Sequence, residues 1–279
     1  MNEQLFFCFG PPKSGTTFLQ RTLDLHPDIS CPTEHNFNFL IKHFMELLAE
    51  YDNLRELIDS RTGGQGTEPL RESIQKKVFS YTVENMIRVS AKGKRIAGAN
   101  DNAIIDKIEL FNTLFNSPKF IAIFRNPIDT ALSAWHHNLR LAEEENDPRH
   151  KHLMTKHGGL EEWMKVVART FSSNVQACMS FRREHDNLIT VRFEDLIADK
   201  KENLLRIFNF LGASTDEKQL DTIIEQSSFT AMRNTSAKKE FFRSGSTDMG
   251  KGMVSDALRA EIATIASTGL QALDYDILK

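Results

Sequence analysis

The chain has 279 residues, with 35 Lys+Arg against 38 Asp+Glu for a formal net charge of −3, and is 40% hydrophobic and 26% charged. That is ordinary soluble globular composition, long enough to bury a core as one α/β domain or as two smaller ones. The near-neutral balance argues against a nucleic-acid partner and leaves room for a local pocket that takes a small anion.

Residues 5–9 form a short apolar run ending in Gly10-Pro11-Pro12, and from Thr16 the pattern changes to Phe18, Leu19 and Leu23 at helical spacing. This predicts strand, tight loop and helix. The helix stops at His26-Pro27, residues 29–32 read as a short second strand, and a helix is expected over about 36–50. Residues 62–69, with Gly63-Gly64-Gln65-Gly66, read as a flexible loop. A long amphipathic stretch over 70–90 leads through the turn Lys92-Gly93-Lys94 into 95–98, and a helix follows over 103–115. Residues 120–124, Phe-Ile-Ala-Ile-Phe, are a buried strand. A helix over 127–144, a charged loop over 145–157, a long helix to about 184, a strand over 188–192 and a helix over 194–211 continue the alternation. Such alternation predicts βαβ units, hence one α/β domain over 1–279 with a central parallel sheet flanked by helices. From 234 to 253 the periodicity lapses before a closing helix from about Ser255.

Three widely spaced cysteines, Cys8, Cys31 and Cys178, suggest neither a disulfide framework nor a zinc site, so a reducing, cytoplasmic setting is expected. No apolar run approaches the ~18 residues of a membrane span, and residues 1–4 are too short for the charged start of a signal peptide.

Gly10-Pro11-Pro12-Lys13-Ser14-Gly15-Thr16-Thr17 falls between the first strand and the first helix. There its backbone N–H groups and the helix N-terminus can cradle a phosphate. A nucleoside-triphosphate loop places Lys directly after its second Gly. Thr16 stands in that place, and the lysine lies inside the loop at Lys13, where it reaches the bridging region of a phosphate ester. Strand 120–124 runs into Arg125, not into an acid for Mg²⁺, which favours binding an anion directly.

Residues 12–17 resemble the 5′-phosphosulfate loop of the sulfotransferases that use 3′-phosphoadenosine 5′-phosphosulfate (PAPS). Residues 124–133, Phe-Arg-Asn-Pro-Ile-Asp-Thr-Ala-Leu-Ser, resemble the same family's strand-to-helix turn. The resemblance implies a P-loop-like nucleotide-binding topology, with Lys13, Ser14, Gly15, Thr16 and Thr17 at the 5′ end and Arg125 and Ser133 on the 3′-phosphate. Arg125 at a strand end and Ser133 two turns into a helix can converge on one phosphate; a salt bridge from Arg125 to Asp129 is the structural alternative. Val191-Arg192-Phe193-Glu194-Asp195-Leu196 resembles the family's "YEDL" element, with Phe193 in place of Tyr. Ser227-Ser228-Phe229 resembles the segment flanking adenine, making Ser227 and Phe229 base contacts, although Phe229 equally fits a core role. Arg243-Ser244-Gly245 resembles the start of the Arg-x-Gly loop over the 3′-phosphate, but Asp248 and Gly250 stand where Gly and Trp are expected.

Sulfuryl transfer needs charge neutralisation at the bridging oxygen, in-line placement of an acceptor hydroxyl and a base for its proton. Lys13 suits the first task. The scheme requires no metal, and the nine histidines form no HExxH; His150, His152 and His157 read as solvated. A glutamate just after the second strand is the base in many members, which points to Glu34, brought near Lys13 because neighbouring parallel strands share one crevice at their carboxyl ends. The alternative makes Thr33 an N-cap and Glu34 a first-turn residue. His35 is the fallback base. Many relatives carry a Lys near Asn100; its absence here removes a second cation and leaves Asn100 or Asp101 as an acceptor contact. The acceptor is a hydroxylated small molecule, glycolipid or saccharide, with variable loops over 52–69 and 141–158 shaping its pocket. The rival readings are an ATP-dependent phosphotransferase and a non-catalytic nucleotide-binding relative.

Overall fold

The computed structural model describes residues 4–63, 69, 71–144, 146–148, 151, 155–235 and 249–277. Five strands, β1 (Gln4–Phe9), β2 (Ile29–Ser30), β3 (Ile96–Asn100), β4 (Lys119–Phe124) and β5 (Leu188–Arg192), form one sheet in the order β2-β3-β1-β4-β5. Every pairing is parallel, with Cys8 of β1 opposite Asn100 of β3 on one side and Ile121 of β4 on the other.

Phenylalanine-rich strands suit this sheet because both faces are covered. Phe7 and Phe9 of β1 join Phe120 and Phe124 of β4 in one apolar layer, whereas Phe6 and Cys8 join Ile121 and Ile123 in the other. The first layer is completed by α3 (Glu72–Ser90), α5 (Pro127–Glu143), α6 (Leu160–Glu184), α11 (Asp256–Ile265) and α12 (Ser267–Ala272). The second is completed by α1 (Thr16–Asp24), α8 (Lys200–Leu211) and α9 (Glu217–Gln226). A strand buried on both faces reads as a continuous apolar run, which is why 120–124 was recognisable.

The structure departs from the sequence expectations at several boundaries. The helix expected to stop near residue 50 runs as α2 (Phe37–Thr62) to Gly63, whose φ of 70° closes it with an N–H donated to the Asp59 carbonyl. Residues 51–62 carry no Gly or Pro to stop the helix, and Arg55 pairs with Asp59 one turn on at 3.3 Å. Residues 52–62, expected in a variable loop, are therefore helical. The second strand is two residues long. The helix expected over 103–115 divides into a 3-10 turn (Asn102–Asp106) and α4 (Ile108–Leu114), because Lys107 leaves helical geometry at φ −136°. Similarly, 194–211 divides into α7 (Phe193–Ala198) and α8 at Asp199, whose φ is −120°. Helix α9, not anticipated, follows an Asp216 cap whose carboxylate accepts from the Gln219 N–H. A short α10 (Phe229–Thr235) comes next.

Candidate active site

β1 is central, and the chain after it returns first to the β2–β3 side and then to the β4–β5 side. The carboxyl ends of β1, β3 and β4 thus border a crevice at the point where the strand order reverses. Gly10 to Thr17 fill it. A Cβ on Gly10 would lie 2.2 Å from the Ile123 carbonyl oxygen, so only glycine lets the loop lie this close to β4. Lys13 and Gly15 both take positive φ, 71° and 98°. These left-handed steps wind the backbone into the N-terminus of α1, whose first turn holds Thr16 and Thr17 and no acid. Ser14 is fully buried, and its Oγ has no hydrogen-bond partner among the described residues.

Phe193 supports the loop from beside it. A Cβ on Gly15 would lie 2.3 Å from the Phe193 ring, and the Arg125 guanidinium lies over that ring at 5.0 Å. Arg125 is buried and donates to Asp129 Oδ2 at 3.4 Å, so the ion pair weighed from sequence is present, inside the protein. Asp129 Oδ1 accepts the Gly250 N–H at 3.1 Å. A Cβ on Gly250 would meet Ile128 Cγ2 at 2.6 Å, which explains glycine where the family pattern has tryptophan: the chain is pressed onto the start of α5. Ser133, two turns along α5, is half-buried. Arg243, Ser244, Gly245 and Asp248 lie outside the described residues, as do His150 and His152.

Glu194 of the "YEDL"-like element is structural. Its Oε1 accepts the Asn126 N–H at 2.9 Å, fixing the residue after Arg125, and its Oε2 accepts from Tyr275 Oη at 2.6 Å. Burial pushes its carboxyl above the usual range, against the hydrogen bonds from Tyr275 and Asn126. Tyr275, with Arg192 over its ring at 4.4 Å, was not visible as a site-supporting residue, since nothing nearby in sequence marks it.

After β2 the chain rejoins β3: Glu34 bridges Asn100, and the His35 N–H donates to the Asn100 carbonyl at 3.1 Å. Asp101 fixes this arrangement. Its Oδ1 accepts the Ala103 N–H at 2.8 Å and its Oδ2 accepts the Phe37 N–H, so one buried carboxylate caps two helical segments. With each oxygen holding a backbone N–H, Asp101 anchors this turn. Glu34 is no first-turn residue, since α2 begins three residues later at Phe37.

The Glu34 side chain keeps an exposed edge, and Asn102 Nδ2 donates to its Oε1 at 3.4 Å. Desolvation by the surrounding protein and the charge of Asp101 raise its carboxyl above the ordinary value, while Lys13 pulls it back. His35, stacked on Phe37 at 5.5 Å, is pushed below its ordinary value by burial. Lys13 of the phosphate loop is thus within electrostatic reach of Glu34 across the crevice.

At the other end, Phe229 stacks on Phe18 at 5.0 Å with planes 12° apart. Ser227 is buried and accepts at its carbonyl from Lys200 Nζ at 3.0 Å. Burial lowers the pKa of Lys200, which carries no sequence signal beyond its charge. Among the described residues no cluster of His, Cys, Asp or Glu is grouped to hold a metal ion, and no helix is long and apolar enough to cross a membrane.

A parallel three-layer α/β fold with a glycine-bounded loop at its strand-order reversal defines a P-loop-like fold. The Sulfotransferase domain family matches residues 4–261, and the chain belongs to that family. It is 27% identical over 154 residues to human Sulfotransferase 1C2, covering 50% of this chain and 48% of that protein's length. With zebrafish (Danio rerio) Sulfotransferase 6B1 the identity is 25% over 248 residues, covering 80% of this chain and 76% of the relative. In fold it is similar to mouse sulfotransferase SULT7A1 complexed with PAP, with a TM-score of 0.59 at 18% identity and coverage of 99% of this chain and 90% of that one. A sulfotransferase from Alicyclobacillus acidocaldarius gives a TM-score of 0.54 at 20% identity, over 98% of this chain and 95% of that one.

Proposed function

We propose that the chain is one catalytic domain that transfers the sulfuryl group of PAPS to an acceptor hydroxyl, with Glu34 as general base and Lys13 at the leaving phosphate. The observation that carries this reading is the juxtaposition of an anion-cradling loop with a raised-pKa carboxylate whose ionisation Lys13 influences. The loop fits a phosphate ester: Ser14 Oγ is buried and has no partner among the described residues, Gly10 and Gly15 leave no room for side chains, and α1 opens without an acid. Arg125, anchored by Asp129 and the Phe193 ring, supplies a cation at the next strand end for the 3′-phosphate, joined by Ser133.

When bound, PAPS supplies an electrophilic sulfur whose bond to the bridging oxygen breaks as the acceptor oxygen bonds to it. Glu34 takes the acceptor proton; its raised pKa brings it closer to the hydroxyl it must deprotonate. Lys13 offsets the negative charge left on the 5′-phosphate oxygen. His35, neutral through burial, is the second group able to accept that proton. Ser227 and Phe229 are proposed at the adenine end, and Arg243, Ser244 and Gly245 over the 3′-phosphate. The three free, buried cysteines suit a reducing, cytoplasmic setting.

Calorimetric binding of 3′-phosphoadenosine 5′-phosphate (PAP) beside ATP with Mg²⁺ tests the reading. Tight binding of PAP that weakens when the 3′-phosphate is removed supports it. Preference for ATP with Mg²⁺ overturns it in favour of a phosphotransferase.

A further inference from the structure

α2 buries little of itself for its length. It has 26 residues and only Phe37 is buried, whereas α6, with 25, buries six. Its surface is nevertheless ordered: one line of apolar residues runs unbroken from Phe37 to Ile58 at alternating steps of three and four, the heptad spacing that marks one face of a helix. The first three, Phe37, Leu40 and Phe44, pack on the core. The next four, Leu47, Tyr51, Leu54 and Ile58, continue the same line into solvent, each 38–63% exposed. A helix draws most of its stability from packing such a face. The Arg55–Asp59 pair on the same half of α2, at 3.3 Å, offers only about 0.2–0.5 kcal/mol in its place. The outer half of α2 is therefore built to be covered.

The same pattern selects what covers it. Twelve of the fifteen large apolar side chains exposed among the described residues stand on α2 and α3. α3 meets α2 where the Phe44 and Phe79 rings lie 5.3 Å apart, and Val78 and Tyr81, close to Phe79 in sequence, are exposed. At about half exposure, and with about 150–250 Å² for a ring, the two helices present on the order of 1,000 Å² of apolar surface. The largest patch on an ordinary monomer is about 300–600 Å², and a standard interface takes about 800 Å² from each partner. A lipid surface fits poorly, because α2 carries five acids against three Lys and Arg, and interfacial helices need the opposite balance. A second copy fits. A two-fold axis crossing the line between residues 52 and 53 sets Leu47 against the partner's Ile58 and Tyr51 against the partner's Leu54, so every position meets an apolar one. We propose that α2, supported by α3, is a self-association surface and that two copies of this chain pair along Leu47, Tyr51, Leu54 and Ile58. Pairing does not depend on the chemistry proposed for the crevice.

Sedimentation velocity of the full chain over a broad concentration range tests the pairing. A species of about twice 31.8 kDa is expected, with a Tm that climbs with protein concentration. Leu54→Glu and Tyr51→Glu each act twice in a symmetric contact, once per copy, and should weaken association about a hundredfold or more. Both positions are exposed, so the single chain tolerates the charge, and the Tm of these variants should not depend on concentration. Asn53→Glu, exposed on α2 but off the apolar line, should leave pairing intact. A parent that is monomeric at every concentration overturns the inference, whatever the variants do. So does a dimer that survives both Leu54→Glu and Tyr51→Glu, or one that Asn53→Glu breaks equally. A monomeric parent that binds phosphatidylcholine or phosphatidylserine vesicles, and loses them in Leu54→Glu, assigns the face to lipid instead.

Discussion

Gly15→Ala probes the most constrained point of the phosphate loop. Two costs add. A left-handed residue with a Cβ costs about 1–2 kcal/mol, and Gly15 sits at φ 98°. The new methyl would lie 2.3 Å from the Phe193 ring, and overpacking of that kind costs about 1–3 kcal/mol. The expected loss is therefore about 2–5 kcal/mol, read by urea unfolding with an unchanged m-value. A double-mutant cycle with Phe193→Ala separates the two. Without the ring only the backbone cost of about 1–2 kcal/mol remains, so the cycle should show a coupling of about 1–3 kcal/mol. PAP affinity should fall too, because Arg125 rests on the same ring. A loss below about 1 kcal/mol, or equal losses with and without Phe193, would refute the packing argument.

Glu34→Gln should abolish turnover while sparing PAP binding; full activity in the variant would remove Glu34 from the mechanism. Because the folded protein holds the Glu34 proton more tightly than the unfolded chain, its contribution to stability declines as pH rises from the unfolded value through the folded one. At neutral pH Glu34→Gln should accordingly raise Tm, and a lower Tm would count against the assignment. Asp101→Asn removes a charge that raises Glu34, so the acid limb of kcat/KM should move to lower pH, at a stability cost of about 1 kcal/mol for the weakened caps. Arg125→Ala should bring PAP affinity down to that of the nucleotide lacking the 3′-phosphate, and unfolding should reveal a loss of about 3–5 kcal/mol from stranding Asp129, largely relieved by adding Asp129→Ala. Tyr275→Phe should cost about 1–3 kcal/mol in denaturation by leaving Glu194 Oε2 short of a donor, and an unchanged midpoint would argue against that tether.

The strands were legible because burial on both faces forces continuous apolar runs, and the phosphate loop because it needs glycines at fixed places between a strand and a helix. Helix ends were less legible. Nothing in the sequence around residue 50 says whether α2 stops, whereas Gly63, with its positive φ, stops it. Asp101 shows a different limit. Sequence places a polar residue at a strand end near the crevice, but only the fold shows both its oxygens holding backbone N–H groups from segments 64 and 2 residues away. Lys200 and Tyr275 were out of reach for the same reason: their partners, Ser227 and Glu194, lie 27 and 81 residues distant along the chain.

The sheet's two apolar layers each contain thiols. Cys8 and Cys31, with sulfurs 3.7 Å apart, belong to the α1–α8 layer, and Cys178 belongs to the α6 layer. All three are almost fully buried; burial raises the Cys31 thiol well above its ordinary value and Cys178 to about 12. An alkylating reagent must therefore wait for the protein to open. Labelling Cys178 against the Cys8–Cys31 pair over time provides a native two-channel clock, and its two rates report whether the layers on either side of the sheet open as one cooperative unit or separately.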